Sequence, residues 1–97
     1  MSLYNTMKPK FRSGAIAITP GALDVLQGDE TLTLLRLARH LSGDGGDIDE
    51  EDKVTNNDAI KYGSRVLSAY NLFGGERIWI ITEAGRRITT VLLPEEY

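Results

Sequence analysis

The sequence predicts a small α+β domain with the element order β-α-α-α-β-β-β. In this prediction the sheet is antiparallel, it ends in a C-terminal three-stranded meander, and the helices pack on one face. Two observations support this class. Residues 19–63 carry helical apolar spacing between capping residues. Residues 64–93 contain three short runs rich in β-branched and aromatic residues, separated by glycine turns. Helices and strands segregated in this way are typical of α+β folds.

The length of the chain sets the number of domains. Ninety-seven residues suit one hydrophobic core, because a second core needs roughly fifty more. We assign residues 1–10 to a flexible, polar N-terminal tail and residues 11–97 to a single α+β domain. The hydrophobic fraction of 41% is ordinary for a globular protein, so composition does not suggest a fibrous or disordered chain.

The first strand and helix are predicted from local chemistry. Residues 15–18, "AIAI", form a short apolar run that suits a buried strand. Thr19 is a good N-cap, and Pro20 then occupies the first helical position, where its missing N–H costs nothing. Gly28 is expected to end this helix.

Two further helices follow. Asp29 can cap the second, whose apolar residues recur at helical spacing until Gly43. The third runs through "EEDKVTNNDAIKY" and ends at Gly63, although Asn56 and its neighbours are poor helix formers and could divide it into two pieces.

The acidic segment "GDGGDIDEED", residues 43–52, raises the question of a cation site. An EF-hand loop requires glycine at its sixth position, but counting from Asp44 this position is Asp49. Asp47 followed by Glu50 instead resembles a capping box for the third helix. We favour capping, with a weak cation site as an open alternative and no metal or other cofactor assigned.

The three strands present two faces if both turns are two-residue hairpins that pair Phe73 with Glu76 and Glu83 with Arg86. One face is smooth and aliphatic and suits burial under the helices. The other mixes aromatic, basic and aliphatic residues typical of interfaces. From it we predict an interface formed by Tyr70, Leu72, Arg77, Trp79, Ile81, Thr90 and Leu92. A one-residue slip in register would exchange the face memberships.

The predicted interface requires a cover, because a sheet that is apolar on both sides is seldom left open. The third helix or the N-terminal tail could supply it. Self-association into a homodimer or a protein partner could equally do so, and the sequence leaves these alternatives open.

Composition argues against several classes of partner. The net charge of −3 and pI of about 5.0 argue against nucleic acid as a ligand, since phosphate binding needs a basic surplus. The chain has no cysteine, which fits a reducing compartment. The sequence shows no membrane-spanning run and no signal peptide, so we expect a cytoplasmic protein without a membrane or small-molecule ligand.

An enzymatic alternative rests on small toxin-type ribonucleases, which place basic and hydroxyl side chains on a helix-backed sheet. His40, the single histidine, lies near a helix end, where it is more often a packing or surface residue than a general base. Arginines would stabilise the phosphate transition state, and tyrosine or histidine would move the proton. The other candidates are Arg65, Ser68, Tyr70, Arg86, Arg87, Thr90 and Tyr97.

A resemblance covers residues 11–97. In "LARHLSGDGGD", "RVLSAY" and above all "IWIITEAGRRITTVLLPEEY", the chain resembles a family of small uncharacterised proteins of bacterial plasmids and other mobile elements. Members are sometimes mislabelled as a type I restriction-modification subunit, although a chain this short cannot hold a methyltransferase domain. Family members often carry an aromatic residue where this chain has Gly45 and an aspartate where it has Gly85. The resemblance implies a bacterial mobile-element origin and no established activity.

Together these observations predict a small non-catalytic protein-interaction or regulatory module of a bacterial mobile element. The ribonuclease-like enzyme is the alternative.

Overall fold

The computed structural model describes residues 8–97, and these residues form an α+β fold. The three helices and four strands follow the predicted order, to which a C-terminal 3₁₀ turn is added. Residues 1–7 of the predicted tail lie outside the described part. The elements are β1 (Ala15–Ile18), α1 (Pro20–Leu26), α2 (Glu30–Leu41), α3 (Glu50–Tyr62), β2 (Val66–Asn71), β3 (Arg77–Thr82), β4 (Ile88–Leu92) and the 3₁₀ turn (Pro94–Glu96).

The sheet is mixed, so the prediction of an antiparallel sheet is wrong for one strand pair. The strand order is β1-β4-β3-β2, and β1 runs parallel to β4. The Ala15 amide donates to the Arg87 carbonyl, and the Thr19 amide donates to the Val91 carbonyl. The three helices and two other strands separate β1 from β4 along the chain, so no local turn indicates their pairing.

The helix ends follow the predicted chemistry closely. The Thr19 hydroxyl accepts a hydrogen bond from the Ala22 amide, with Pro20 at the first helical position. The Asp29 carboxylate accepts from the Leu32 amide at 3.0 Å and caps α2. Helix α1 ends slightly earlier than expected, because Gln27 adopts the left-handed conformation at φ 52° before Gly28 is reached.

The main core lies between one sheet face and the helices α1 and α2. Ile78 and Ile80 are at most 1% exposed and occupy its centre. Helix α3 packs against β2 and is one continuous helix through Asn56. The buried core cluster comprises Ala22, Leu26, Leu37, Tyr70, Ile78, Ile80 and Val91.

The register of the first hairpin differs from the predicted one. Asn71 pairs with Arg77, and the Leu72 amide donates to the Glu76 carbonyl, so the connection is longer than a two-residue turn. This moves β2 by one residue against β3 and exchanges its two faces. The second hairpin is displaced by two residues, pairing Thr82 with Thr89, and therefore keeps the predicted faces of β3 and β4.

Candidate functional site

Five of the seven predicted interface residues share the sheet face opposite α1 and α2, which we call the open face. They are Arg77, Trp79, Ile81, Thr90 and Leu92. Ile81 and Leu92 are buried, at 3% and 6% exposure, whereas Arg77 is exposed.

Tyr70 and Leu72 do not belong to the open face, and their assignment to it is wrong because of the register shift in β2. Tyr70 is 1% exposed on the helix-covered face, where its hydroxyl donates to the Asp44 carbonyl. The Arg39 guanidinium lies 4.8 Å from the centre of its ring. Burial raises the pKa of Tyr70 to about 12. Leu72 follows the end of β2 and packs against the core cluster.

An aromatic pair with a cation occupies the open face. Half-buried Trp79 meets Tyr97 edge-on, with ring centres 5.7 Å apart and planes at 65°. The Arg65 guanidinium lies 5.3 Å from the centre of the Tyr97 ring. Tyr97 and the 3₁₀ turn before it lie against β3 on this face, and Tyr97 itself remains 65% exposed.

The acidic segment closes the outer edge of β2. The Ala69 amide donates to the Gly45 carbonyl at 3.0 Å, and the Asp47 amide donates to the Ala69 carbonyl at 2.7 Å. Two residues after Ala69 in β2, the Asn71 amide donates to the Asp47 carboxylate at 2.9 Å. Sheet edges with free backbone groups invite association, so this segment protects β2 from pairing with other chains.

The capping prediction is correct in kind but wrong in residue. Helix α3 begins at Glu50, and its N-cap is Asp49, whose carboxylate accepts from the Asp52 amide at 2.8 Å. Asp47 is held by β2 and is two residues too early to cap. Between residues 8 and 97, no cluster of three or more His, Asp or Glu side chains is arranged to hold a metal ion.

Asp44 fixes the start of the acidic segment. Its carboxylate forms a 2.9 Å salt bridge with Arg39 and accepts from the Gly46 amide at 2.9 Å. Partial burial acts to raise the pKa of Asp44, but the bonds from Arg39 and Gly46 outweigh burial and lower it. The segment is thus anchored to α2 at one end and to β2 at the other.

His40 joins a buried polar chain that sequence analysis missed. Its Nδ1 lies 2.6 Å from the Ser68 hydroxyl, and its Nε2 lies 2.8 Å from the Thr82 hydroxyl. Thr82 and Thr89 are 2.6 Å apart, and Thr89 donates to the Ser13 carbonyl at 2.7 Å. All four side chains of this hydroxyl–imidazole chain are at most 1% exposed.

The direction of the hydroxyl–imidazole chain fixes the state of the imidazole. Thr89 donates to a carbonyl, so its oxygen accepts from Thr82. Thr82 therefore accepts from Nε2–H of His40, and Nδ1 accepts from Ser68. Burial, assisted by the charge of Arg86, lowers the pKa of His40 to about 4 and keeps the ring neutral. Because each of its polar groups is hydrogen-bonded, the hydroxyl–imidazole chain positions α2 on the sheet.

The candidate ribonuclease residues are not brought together in one exposed site. Ser68 is buried beneath α2, where it contacts buried His40 of that helix, and Tyr70 is buried beneath the acidic segment. The Arg86 guanidinium donates to the carbonyls of Ser64 and Ala59 and so ties a turn to α3. Arg65, Thr90 and Tyr97 lie on the open face. His40 and Ser68 do contact each other, but both are buried, so residues 8–97 present no exposed acid–base pair beside an arginine from this set.

No protein-family model, curated protein or solved structure matches this chain. None of the helices in residues 8–97 has the length and apolar character needed to cross a membrane.

The pattern of hydroxyls was the available signal for the polar chain. Ser68, Thr82 and Thr89 fall on the face that also carries Ile78 and Ile80. Three hydroxyls among buried aliphatic residues require hydrogen-bond partners, and a histidine on the covering helix can serve two of them.

Proposed function

We propose that this chain is a small non-catalytic protein-interaction module of a bacterial mobile element, acting in the cytoplasm through its open face. The observation that carries the proposal is the cluster of Arg65, Tyr97 and Trp79 on the open face. Tyr97 in this cluster is 65% exposed. Tryptophan, tyrosine and arginine are the residues most enriched at the energetic centres of protein interfaces.

The charge of the open face suggests the chemistry of the partner. Among the described residues, the salt bridges join Arg39 to Asp44 and Lys53 to Glu50, which leaves Arg65 and Arg77 without a carboxylate. Arg77 donates to the Asp47 carbonyl, so its guanidinium is held at the rim of the face. A protein surface that carries carboxylates around an apolar centre complements this arrangement.

The overall charge of the chain favours a protein partner over nucleic acid. Phosphate backbones are held mainly by basic surplus, and the net charge here is −3. Arg65 and Arg77 supply two cations, which suits a localised acidic epitope. The resemblance to plasmid-related proteins supports an origin on a mobile element, and the absence of cysteine fits a reducing cytoplasm.

The test uses Trp79, the single tryptophan of the chain, as target and as probe. Tagged wild type, Trp79→Ala and Arg65→Glu would be compared in affinity capture from a bacterial host. Tyr62→Ala is the matched control, since Tyr62 is a tyrosine of α3 that is 72% exposed and is not one of the residues assigned to the open face. A captured protein would then be purified and titrated against the module.

The proposal predicts a captured protein that Tyr62→Ala retains and that Trp79→Ala and Arg65→Glu lose. Direct binding should shift the tryptophan emission, reduce its quenching by acrylamide and weaken with salt. Identical capture by wild type and Trp79→Ala would contradict it. Cleavage of RNA by the purified chain, lost in Arg65→Ala, would instead support the enzymatic alternative, which no present observation favours.

A further inference from the structure

The outward backbone groups of the two edge strands, β2 and β1, differ in their hydrogen-bond partners. On β2 the outward groups are bonded to Asn56 and to the acidic segment. On β1 the amides of Ala15 and Thr19 point inward and bind β4. Because neighbouring residues of a strand alternate in direction, the amides and carbonyls of Ile16 and Ile18 point away from the sheet.

Within residues 8–97, strand β1 shows none of the features that normally block edge pairing. Its sequence, "AIAI", contains no charge and no proline, and its four residues pair with β4 in unbroken register without a bulge. Natural edge strands that must stay single use lysine, proline, bulges or a covering segment. The contrast with the closed β2 edge indicates that β1 is an edge built to accept a strand.

Exposed aliphatic side chains line the same edge. Ile16 and Ile18 are 49% and 37% exposed and face the helix side of the sheet. Leu23 of α1, 53% exposed, and Leu34 of α2, 64% exposed, complete the opposite wall. These four side chains define the β1 groove. A contiguous group of exposed aliphatic side chains is a candidate interaction site.

We propose that the occupant of this edge is β1 of a second copy of the chain, paired antiparallel about a two-fold axis at Ala17. Ile16 then faces Ile18 of the second copy, and Ile18 faces Ile16. Two outward residues on each strand give four backbone hydrogen bonds, so every free group of the pair is used. The product is a continuous eight-stranded sheet with α1 and α2 of both copies on the same side.

Two features favour a second copy over a foreign strand. The edge is short, since Gly14 at φ 63° packs against the backbone of Arg87 on one side and Pro20 starts α1 on the other. A longer foreign strand would gain no further backbone bonds. Apart from Glu30 of α2, the β1 groove is lined by uncharged and mostly aliphatic residues, so the two-fold axis brings one aliphatic groove against the other.

The size of the contact predicts a reversible dimer. Two short strands and eight aliphatic side chains form a small interface, of the class below about 1,200 Å² that holds weak complexes. The open face lies on the other side of the sheet and stays accessible in the dimer. This inference is therefore independent of the proposed function, and either can fail alone.

Solution mass by light scattering over about 1 µM to 1 mM tests the proposal. The mass should rise from 10.7 kDa to twice that value and no further, because a two-fold contact is closed. Leu34→Lys and Ile18→Lys should weaken dimerisation at least tenfold. Val54→Lys is the matched control, since Val54 is 61% exposed on α3, and it should leave the mass unchanged, as should Trp79→Ala.

Each contrary result overturns the proposal. If the wild type stays at 10.7 kDa up to 1 mM, the β1 edge pairs with a different protein or with no strand at all. Dissociation by Trp79→Ala, with Leu34→Lys unaffected, would move self-association to the open face. Growth beyond a dimer would contradict a closed contact. Leu34→Lys alters an exposed helix position, so it keeps the test decisive if Ile18→Lys fails to fold.

Discussion

The Asn56 amide binds the backbone of Leu67 in both directions. Its Oδ1 accepts from the Leu67 amide at 3.1 Å, and its Nδ2 donates to the Leu67 carbonyl. One side chain of α3 thus replaces the strand that would otherwise pair with β2 at this position. The poor helix propensity of asparagine is outweighed by this tertiary contact, which explains why α3 continues through it.

Replacing the Asn56 amide with a carboxylate should destabilise the fold. Asn56→Asp keeps the shape but removes the donor and sets a negative charge against the Leu67 carbonyl. We expect a loss of about 2–3 kcal/mol in the free energy of unfolding, measured by urea titration. Asn57→Asp, one residue further and exposed, is the matched control and should change stability by less than about 0.5 kcal/mol. Equal effects of the two changes would contradict this account of the β2 edge.

Gly46 should tolerate no side chain. Its φ is 73°, and an added Cβ would overlap the Ala69 carbonyl and lie 2.5 Å from Cδ1 of Tyr70. Gly46→Ala should therefore cost more than about 2 kcal/mol of unfolding free energy. Gly85→Ala has the same backbone strain, at φ 88°, in open space and should cost only about 1 kcal/mol. A Gly46→Ala variant as stable as Gly85→Ala would show that the acidic segment does not lie against β2.

The cap of α3 can be located by paired substitutions. Asp49→Ala should cost about 1 kcal/mol and lower the helical circular dichroism signal, because it removes the acceptor for the Asp52 amide. Asp47→Ala should leave helicity intact while speeding amide exchange at Asn71, whose partner it removes. A loss of helicity in Asp47→Ala, with helicity intact in Asp49→Ala, would instead identify Asp47 as the cap.

The buried His40 should make stability depend on pH. In the folded chain its pKa is about 4, against 6.5 for the free side chain, so the unfolded chain binds more protons between these values. The contribution of neutral, buried His40 to the free energy of unfolding is fully present above pH 6.5 and is lost as the pH falls toward 4. From pH 7 to pH 5 the free energy of unfolding should drop by about 2 kcal/mol.

His40→Gln provides the control for this pH dependence. The chain has one histidine, so the slope between pH 5 and 6.5 should largely vanish in this variant, whatever its absolute stability. Urea titrations at several pH values measure it. An equal slope in wild type and His40→Gln would mean that His40 is not buried in the neutral form.

Local chemistry made the helices predictable. Thr19 and Asp29 cap with their own side chains, and Gly63 ends α3 at φ 83°, so each signal lies within a few residues of its effect. The three hairpin strands were likewise visible as β-branched runs. The open face was recovered for β3 and β4, because a displacement of two residues preserves the alternation of faces.

The errors concern relationships between distant residues. A glycine pair suggested a two-residue turn, but the connection runs from Asn71 to Arg77, and a slip of one residue carried Tyr70 to the wrong face. The parallel pairing of β1 has no local turn to reveal it. His40 meets Ser68 and Thr82, which lie 28 and 42 residues away along the chain, so spacing alone could not identify its role.

Residue-resolved amide hydrogen exchange tests most directly the claim that one sheet edge is closed and the other pairs with a second copy. The account predicts that Leu67, Ala69 and Asn71 are protected at every protein concentration, because their partners lie within the chain. Ile16 and Ile18 should exchange freely at low concentration and become protected as the dimer forms. Free exchange of Ile16 and Ile18 in a solution shown to be dimeric would contradict strand pairing at β1, and free exchange of Leu67, Ala69 and Asn71 would contradict the closure of β2.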